Sequence, residues 1–301
     1  NIKQMTPEQW LASETPTKAR EQLANNEWPD ACKKCKLMEE AGRPSMRQRP
    51  REYGPGISHL DIRFGNQCNL RCTMCYPGSS SSLYEEHKEL KAKGESPWGW
   101  FDYGLYNWYT DEQGETLARN PNLREVYLTG GEPMMSAYTW RILEWFTKNP
   151  QRSQTALAIN SNLGYGQDKL DKLITASGDV KLDLYTSCEA TGIRGEYIRD
   201  GLDYAQWRDN VKYLLESGRF NGIHVMCTIN ALCIQDLWNL LSQIMTWRLK
   251  YGKDAIAFTL NILRFPSFQS VTLLPDYIKQ ERIEHLKMWL EAFGGFLTDS
   301  E

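Results

Sequence analysis

The sequence predicts an α/β protein whose core is a partial (βα)6 TIM-like barrel with N-terminal and C-terminal extensions. Six short, near-continuously apolar segments recur along the chain, a pattern typical of strands buried in a parallel sheet. Between them lie segments in which apolar residues recur at every third and fourth position, as in helices packed on a sheet. Such alternation favours right-handed βαβ crossovers, and this number of repeats favours a barrel or partial barrel.

The predicted strands and helices follow one another regularly along the chain. The first strand lies in HLDIRFG and the later ones in EVYLTGGEP, AIN, VKLDLY, IHVMCTI and AIAFTLNIL. Helices are predicted over 82–93, 137–148, 168–176, 204–217 and 234–249, with a C-terminal helix over 276–293. We therefore expect an N-terminal extension over 1–56, the barrel core over 57–265, and a C-terminal loop and helix over 266–301. Functional residues should lie at the carboxyl ends of the strands.

Composition excludes several classes of function. Of 301 residues, 41% are hydrophobic and 24% are charged, and no apolar run approaches the length of a membrane span, so we expect a cytoplasmic protein without a membrane segment. The net charge of −3 gives no field that would attract nucleic acid or anionic lipid. The chain begins with Asn1 and no apolar signal segment follows, which suggests a trimmed start. An aromatic insert over 96–109 is expected to pack on the barrel rather than to form a substrate wall.

Three of the eight cysteines are clustered in CNLRCTMC, directly after the first predicted strand. Cys68, Cys72 and Cys75 are separated by three and then two residues. A closed zinc site needs four protein ligands, whereas a metal that performs chemistry keeps one position open. A 4Fe-4S cluster with three cysteine ligands likewise leaves one iron free. The spacing therefore favours a working metal site over buried thiols or structural zinc ligands.

CNLRCTMC resembles the CxxxCxxC motif of radical S-adenosylmethionine (radical SAM) enzymes, and TGGEP resembles their glycine-rich motif for the methionine amine. The resemblance covers about residues 57–290 and extends to the twitch/SPASM-like subgroup, which carries auxiliary iron-sulfur clusters and often modifies peptides. It implies reductive cleavage of S-adenosylmethionine to methionine and a 5'-deoxyadenosyl radical, which takes a hydrogen from the substrate. The implied partners are an electron donor such as flavodoxin or ferredoxin and a peptide substrate. The alternative is a non-catalytic iron-sulfur or zinc protein. The GGEP motif argues against it, because such a protein needs no pocket for the methionine amine.

The resemblance also implies roles for individual residues. The three cysteines would hold the 4Fe-4S cluster, and an open iron would chelate S-adenosylmethionine. Glu132 would accept from the methionine ammonium and Arg199 would pair with the cofactor carboxylate. In YTSCEATG, Ser187 matches the family pattern, whereas Glu189 replaces an aspartate and Ala190 a glycine. The implied cofactor-binding residues are Met74, Gly130, Gly131, Glu132, Pro133, Asn160, Asn162, Ser187, Glu189 and Arg199.

Three further cysteines are candidates for function. Cys32 and Cys35 form a CxxC motif, which we interpret as half of an auxiliary iron-sulfur or other metal site rather than a redox pair. Cys188 follows Ser187 and is a candidate hydrogen donor to a substrate radical. Burial is the competing interpretation for Cys188, because neighbouring strand residues face opposite sides of the sheet.

Overall fold

Six parallel strands form one sheet in the computed structural model, which describes residues 5–48, 57–95, 116–149, 154–180 and 182–298. The strands pair in the order β1-β3-β4-β5-β7-β8, which confirms the predicted α/β fold class. The strands β2 and β6 form a separate antiparallel pair. Their bounds are β1 His59–Arg63, β2 Arg71–Cys72, β3 Glu125–Thr129, β4 Ala156–Asn160, β5 Leu182–Ser187, β6 Arg199–Asp200, β7 Phe220–Ile229 and β8 Ile256–Ile262.

Three α-helices of the described residues precede β1, and from β2 onward the helices alternate with the strands. Their bounds are α1 Pro7–Leu11, α2 Glu14–Ala24, α3 Lys33–Glu40, α4 Ser81–Ala92, α5 Ala137–Lys148, α6 Gln167–Ser177, α7 Gly192–Ile198, α8 Tyr204–Ser217, α9 Leu237–Tyr251 and α10 Asp276–Phe293. The predictions over 137–148, 204–217 and 276–293 are confirmed. Helix α9 begins three residues later than predicted, because the Asn230 side chain accepts from the backbone N–H groups of Leu232 and Cys233 and holds a turn. The aromatic insert over 96–109 lies outside the described residues.

One face of the sheet is covered by helices and the other bears polar side chains. On β5, Thr186 is buried and accepts from the indole nitrogen of Trp207 in α8, at 2.9 Å. Tyr185 points to the opposite face, because neighbouring strand residues alternate. There its ring lies 5.3 Å from that of Tyr127, although β4 separates β5 from β3. Such a contact over the small Ala158 of β4 is expected on the concave side of a sheet, and we take this face as the inner face of the partial barrel.

The chain divides into two compact units. The first comprises Asn1–Ser58 with Asn120–Asn122, and the second comprises His59–Arg119 with Leu123–Glu301. Within the first unit, Arg47 and Ser45 both bond to the Glu39 carboxylate of α3, and these hydrogen bonds lower the pKa of Glu39. The Arg47 guanidinium also lies 5.0 Å from the centroid of the Trp28 ring.

No helix of the described ranges is long and apolar enough to span a membrane.

Candidate metal and cofactor site

The three-cysteine loop, residues 64–80 between β1 and α4, is held in place by hydrogen bonds to neighbouring elements. Strand β2 contains Cys72 and pairs with β6, with Cys72 opposite Arg199. At the start of the loop, the Cys68 backbone N–H donates to the Ser81 hydroxyl at 3.0 Å, and the Cys68 carbonyl accepts from Ser81 and Ser82. Ser80 donates to the carbonyl of Leu70 and caps α4 by accepting from Leu83 N. The serines after the motif therefore anchor the loop to α4, a role that the sequence analysis missed.

The three thiols of the loop lie close enough to influence one another. Burial raises the pKa of Cys68 to about 11 and that of Cys75 to about 12, and nearby cysteine charges contribute to both increases. Burial also raises the pKa of Cys72, although the Arg199 guanidinium partly offsets this. Three neighbouring thiolates, one buried and two partly buried, repel one another, so they require a cation to remain deprotonated together.

The three thiols provide the donor set of a cluster with three cysteine ligands. Among the described residues, no group of three or more His, Cys, Asp or Glu side chains could hold one metal ion. In a 4Fe-4S cluster each cysteine binds a different iron, so the thiolates need not converge on one point. The donor set and the proximity of the three thiols are therefore compatible with the cluster.

The GGEP turn at the end of β3 is bonded directly to the cysteine loop. Gly131 N donates to Gly65 O at 3.1 Å, and Glu132 N donates to Gln67 O at 2.7 Å. A Cβ atom on Gly131 would lie 2.7 Å from Asn66 O and closer still to Gln67 O. Gly130 has φ +129°, where glycine is strongly favoured, and its Cβ would lie 2.9 Å from Gly65 O. The sequence predicts that these glycines permit close approach of another group to the backbone of the turn. In the structure the backbone of the cysteine loop makes this approach.

The carboxylate of Glu132 is buried and bonded within the protein. Its Oε1 accepts from the Ser161 hydroxyl at 2.8 Å and from Met134 N, and its Oε2 accepts from Asn162 N at 2.7 Å. Burial raises the pKa of Glu132, although these hydrogen bonds act in the opposite direction. A carboxylate offers about four acceptor sites, so little capacity remains for the methionine ammonium expected from the sequence. Pro133 is buried and opens the following 3-10 turn, Pro133–Met135.

The two asparagines after β4 occupy different surroundings. Asn162 donates through Nδ2 to Asn69 Oδ1 of the cysteine loop at 2.8 Å, and its own Oδ1 accepts from Gly164 N. Asn160 ends β4 and its side chain hydrogen-bonds to Tyr127. The structure therefore brings Asn162 to the cysteine loop and places Asn160 on the inner face of the sheet.

Glu189 and Arg199 form a bidentate ion pair beside Cys72. Arg199 Nε lies 2.6 Å from Glu189 Oε2, and Arg199 Nη2 lies 2.7 Å from Glu189 Oε1. The Glu189 side chain is fully buried and that of Arg199 is 13% exposed. Glu189 occupies the Nε–Nη2 edge of the guanidinium, so the expected pairing of Arg199 with a cofactor carboxylate, which stays a prediction, would use the other N–H groups. The sequence identified both residues but not their partnership.

The remaining site candidates of the barrel unit lie at the end of β5 and beside it. Ser187 is half-buried and points to the inner face. Cys188 is fully buried, and its thiol donates to Ala190 O at 3.3 Å. This placement favours the burial interpretation over a solvent-exchanging hydrogen donor. Met74 is partly buried and packs against Ala190, Ile198 and Cys233.

Cys32 and Cys35 lie together at the start of α3. Cys32 ends the 3-10 turn Asp30–Cys32, and Cys35 is in the first turn of the helix. Both are half-buried free thiols, and they lie close to Arg47, whose pKa is raised chiefly by its hydrogen bond to Glu39 and in smaller part by Cys35 and Cys32. In the described part of the chain, no third His, Cys, Asp or Glu joins them to form a group that could hold a metal ion.

Comparisons with known proteins were consistent with this geometry. The family model of the radical SAM superfamily matches residues 62–244. Among solved structures, Streptococcus suis SuiB bound to S-adenosylmethionine has a TM-score of 0.51 at 12% identity, over 91% of this chain and 57% of that one. SuiB bound to its precursor peptide SuiA has a TM-score of 0.52 at 11% identity, over 87% and 60%. At this identity the likeness concerns the fold, and the chain spans less than two thirds of SuiB. No curated protein matches this chain.

Proposed function

Because the chain belongs to the radical SAM superfamily, whose enzymes use a 4Fe-4S cluster and S-adenosylmethionine, we propose that Cys68, Cys72 and Cys75 hold this cluster. One observation carries the assignment. The cysteine loop is hydrogen-bonded directly to the GGEP turn after β3 and to the Asn162 loop after β4. These loops meet at the carboxyl ends of parallel strands, where ligands bind in such folds.

With the reduced cluster bound, the site would provide the electron for reductive cleavage of S-adenosylmethionine to methionine and a 5'-deoxyadenosyl radical, which would take a hydrogen from the substrate. The chain's own residues position the groups around that event. Gly130 and Gly131 hold the GGEP backbone against the cysteine loop, and Glu132 fixes Asn162 beside it. Met74, which lies within the loop between Cys72 and Cys75, offers an apolar surface suited to the adenine ring. An electron donor such as flavodoxin or ferredoxin would supply the reducing equivalent.

We infer that a peptide is the substrate and that it binds on the inner face of the sheet. Tyr185 stacks on His224 with ring centroids 4.5 Å apart, and Asp183 lies 3.8 Å from His224 Nε2. With Tyr127 these side chains offer flat surfaces and hydrogen-bonding groups, which suit a peptide. SuiB, which has a similar fold, was solved with a precursor peptide bound. A short peptide encoded beside the gene is the first substrate to test, by incubation with the reduced enzyme and measurement of its mass.

Cofactor cleavage tests the central assignment. The protein is reconstituted anaerobically with iron and sulfide, reduced with dithionite in the presence of S-adenosylmethionine, and assayed for 5'-deoxyadenosine. We expect product from the wild-type chain and none from the variant in which Cys68, Cys72 and Cys75 are all alanine. Cys227→Ala is the matched control, because it removes a buried thiol outside the loop. Cleavage by the triple variant would refute the ligand assignment, and bound iron without cleavage in the wild type would favour a non-catalytic protein.

A further inference from the structure

The buried ion pair of Glu189 and Arg199 lies beside Cys72 of the cysteine loop, with the arginine facing the sulfur. The backbone of Arg199 is fixed relative to Cys72, because β6 and β2 pair with these two residues opposite each other. Next to them, Thr73 N donates to Ile198 O at 2.8 Å. The side chain of Arg199 extends towards Cys72, and its Nη1 lies 3.8 Å from Cys72 Sγ.

Glu189 and Cys72 contact different nitrogens of the Arg199 guanidinium. A guanidinium is planar, permanently charged and carries five N–H donors. Glu189 occupies the edge formed by Nε and Nη2, so the nitrogen that faces Cys72 is on the side away from the carboxylate. Glu189 Oε1 also accepts from Thr228 N at 3.4 Å, which ties the acid to β7. The positive end of the pair is therefore held towards the sulfur.

We propose that Arg199 is a positioning residue that donates to Cys72 Sγ and, oriented by Glu189, raises the reduction potential of the cluster. This rests on the proposed function, in which Cys72 is a cluster ligand. Reduction adds one negative charge to the cluster, and a nearby cation stabilises the reduced state more than the oxidised one. Hydrogen bonds to cluster sulfurs are among the factors that set such potentials.

Breaking the ion pair would be costly. If Arg199 bound the carboxylate of S-adenosylmethionine through its Nε–Nη2 edge, it would have to release two short hydrogen bonds and leave Glu189 fully buried without its counter-ion; other acceptors are left with the N–H groups of Nη1 and the second one of Nη2. Removing one partner of a buried pair is strongly unfavourable, because the other charge is left uncompensated. The pair is therefore a fixed part of the site.

Opposite charge changes in the reconstituted enzyme test the proposal. Wild type, Glu189→Gln, Arg199→Gln and the double variant are each poised at a series of potentials, and the reduced fraction is measured by electron paramagnetic resonance. We expect Arg199→Gln to lower the ratio of reduced to oxidised cluster about tenfold at a fixed potential, equivalent to about 59 mV for a one-electron couple. Glu189→Gln should shift the ratio in the opposite direction, because it leaves the arginine uncompensated. A merely structural role predicts no such reversal of sign.

The double variant keeps the test valid if Arg199→Gln fails to fold. The double variant differs from Glu189→Gln only in lacking Arg199, and neither variant leaves a buried carboxylate unpaired. The reduced fraction in the double variant must therefore be lower than in Glu189→Gln. Equal potentials in that comparison, or shifts of the same sign in both single variants, would overturn the proposal. A large loss of affinity for S-adenosylmethionine in the double variant, with the potential unchanged, would instead identify Arg199 as a cofactor ligand. Failure of the wild-type chain to assemble a 4Fe-4S cluster would refute the proposed function itself.

Discussion

Replacement of Gly131 by alanine should displace the cysteine loop without altering any side chain that could bind metal. The new Cβ would lie 2.7 Å from Asn66 O and closer to Gln67 O, and neither backbone atom can move away as a flexible side chain could. Overpacking costs roughly 1–3 kcal/mol. The hydrogen bonds from Gly131 N to Gly65 O and from Glu132 N to Gln67 O are the first to break, at about 1 kcal/mol each. We therefore expect a loss of about 3–5 kcal/mol in the free energy of unfolding.

Urea unfolding of the metal-free chain measures this loss, and iron content after reconstitution measures its effect on the site. Gly294→Ala is the matched control, because a Cβ there meets nothing within 4 Å and the backbone is right-handed helical. We expect the control to retain wild-type stability within about 0.5 kcal/mol and to bind iron normally. If Gly131→Ala behaves like Gly294→Ala in both assays, the turn does not clamp the cysteine loop and the reasoning is wrong.

Three further outcomes are expected. Trp289→Ala should destabilise the chain by about 3–5 kcal/mol in the same assay, because this buried indole packs edge-on against Phe258 of β8, and a loss below 1 kcal/mol would contradict that packing. Burial raises the pKa of Tyr127 to about 12, so the unfolded chain ionises first and stability falls as pH rises from about 10 towards 12; Tyr127→Phe should reduce that fall. If Cys32 and Cys35 bind a second metal centre, replacing both by serine should lower bound metal but leave the loop cluster, and free alkylation of both in the loaded wild type would argue against it.

The elements with local signals were the ones the sequence could predict. The bounds of α8 agree with prediction because its buried residues recur at helical spacing and Asp203 caps its start by accepting from Gln206 N. The cysteine loop and the GGEP turn were recognised for a similar reason, since each is a short contiguous motif. Their positions after β1 and β3 follow from strand order alone.

The contacts that complete the site were not predictable, because they join residues distant in sequence. Glu132 accepts from Ser161, 29 positions away, and Arg199 faces Cys72 across 127 positions. The sequence therefore did not reveal that Glu132 and Arg199, both assigned to the cofactor, also bond to other residues of the chain. Register and side-chain direction, which decide such pairings, depend on how the strands assemble.

These long-range contacts explain why a loop with only three metal-binding side chains can hold them in place. The loop has little regular structure of its own beyond the two-residue strand β2, and neighbouring thiolates would repel one another. Its backbone is instead tied to α4 by the serines and to the GGEP turn by two backbone hydrogen bonds, and its Asn69 side chain is bonded to Asn162 after β4. The geometry of the thiols therefore depends on the ends of one helix and two strands. Substitutions that touch none of the cysteines should therefore still lower metal binding, and by different amounts according to which tie they break.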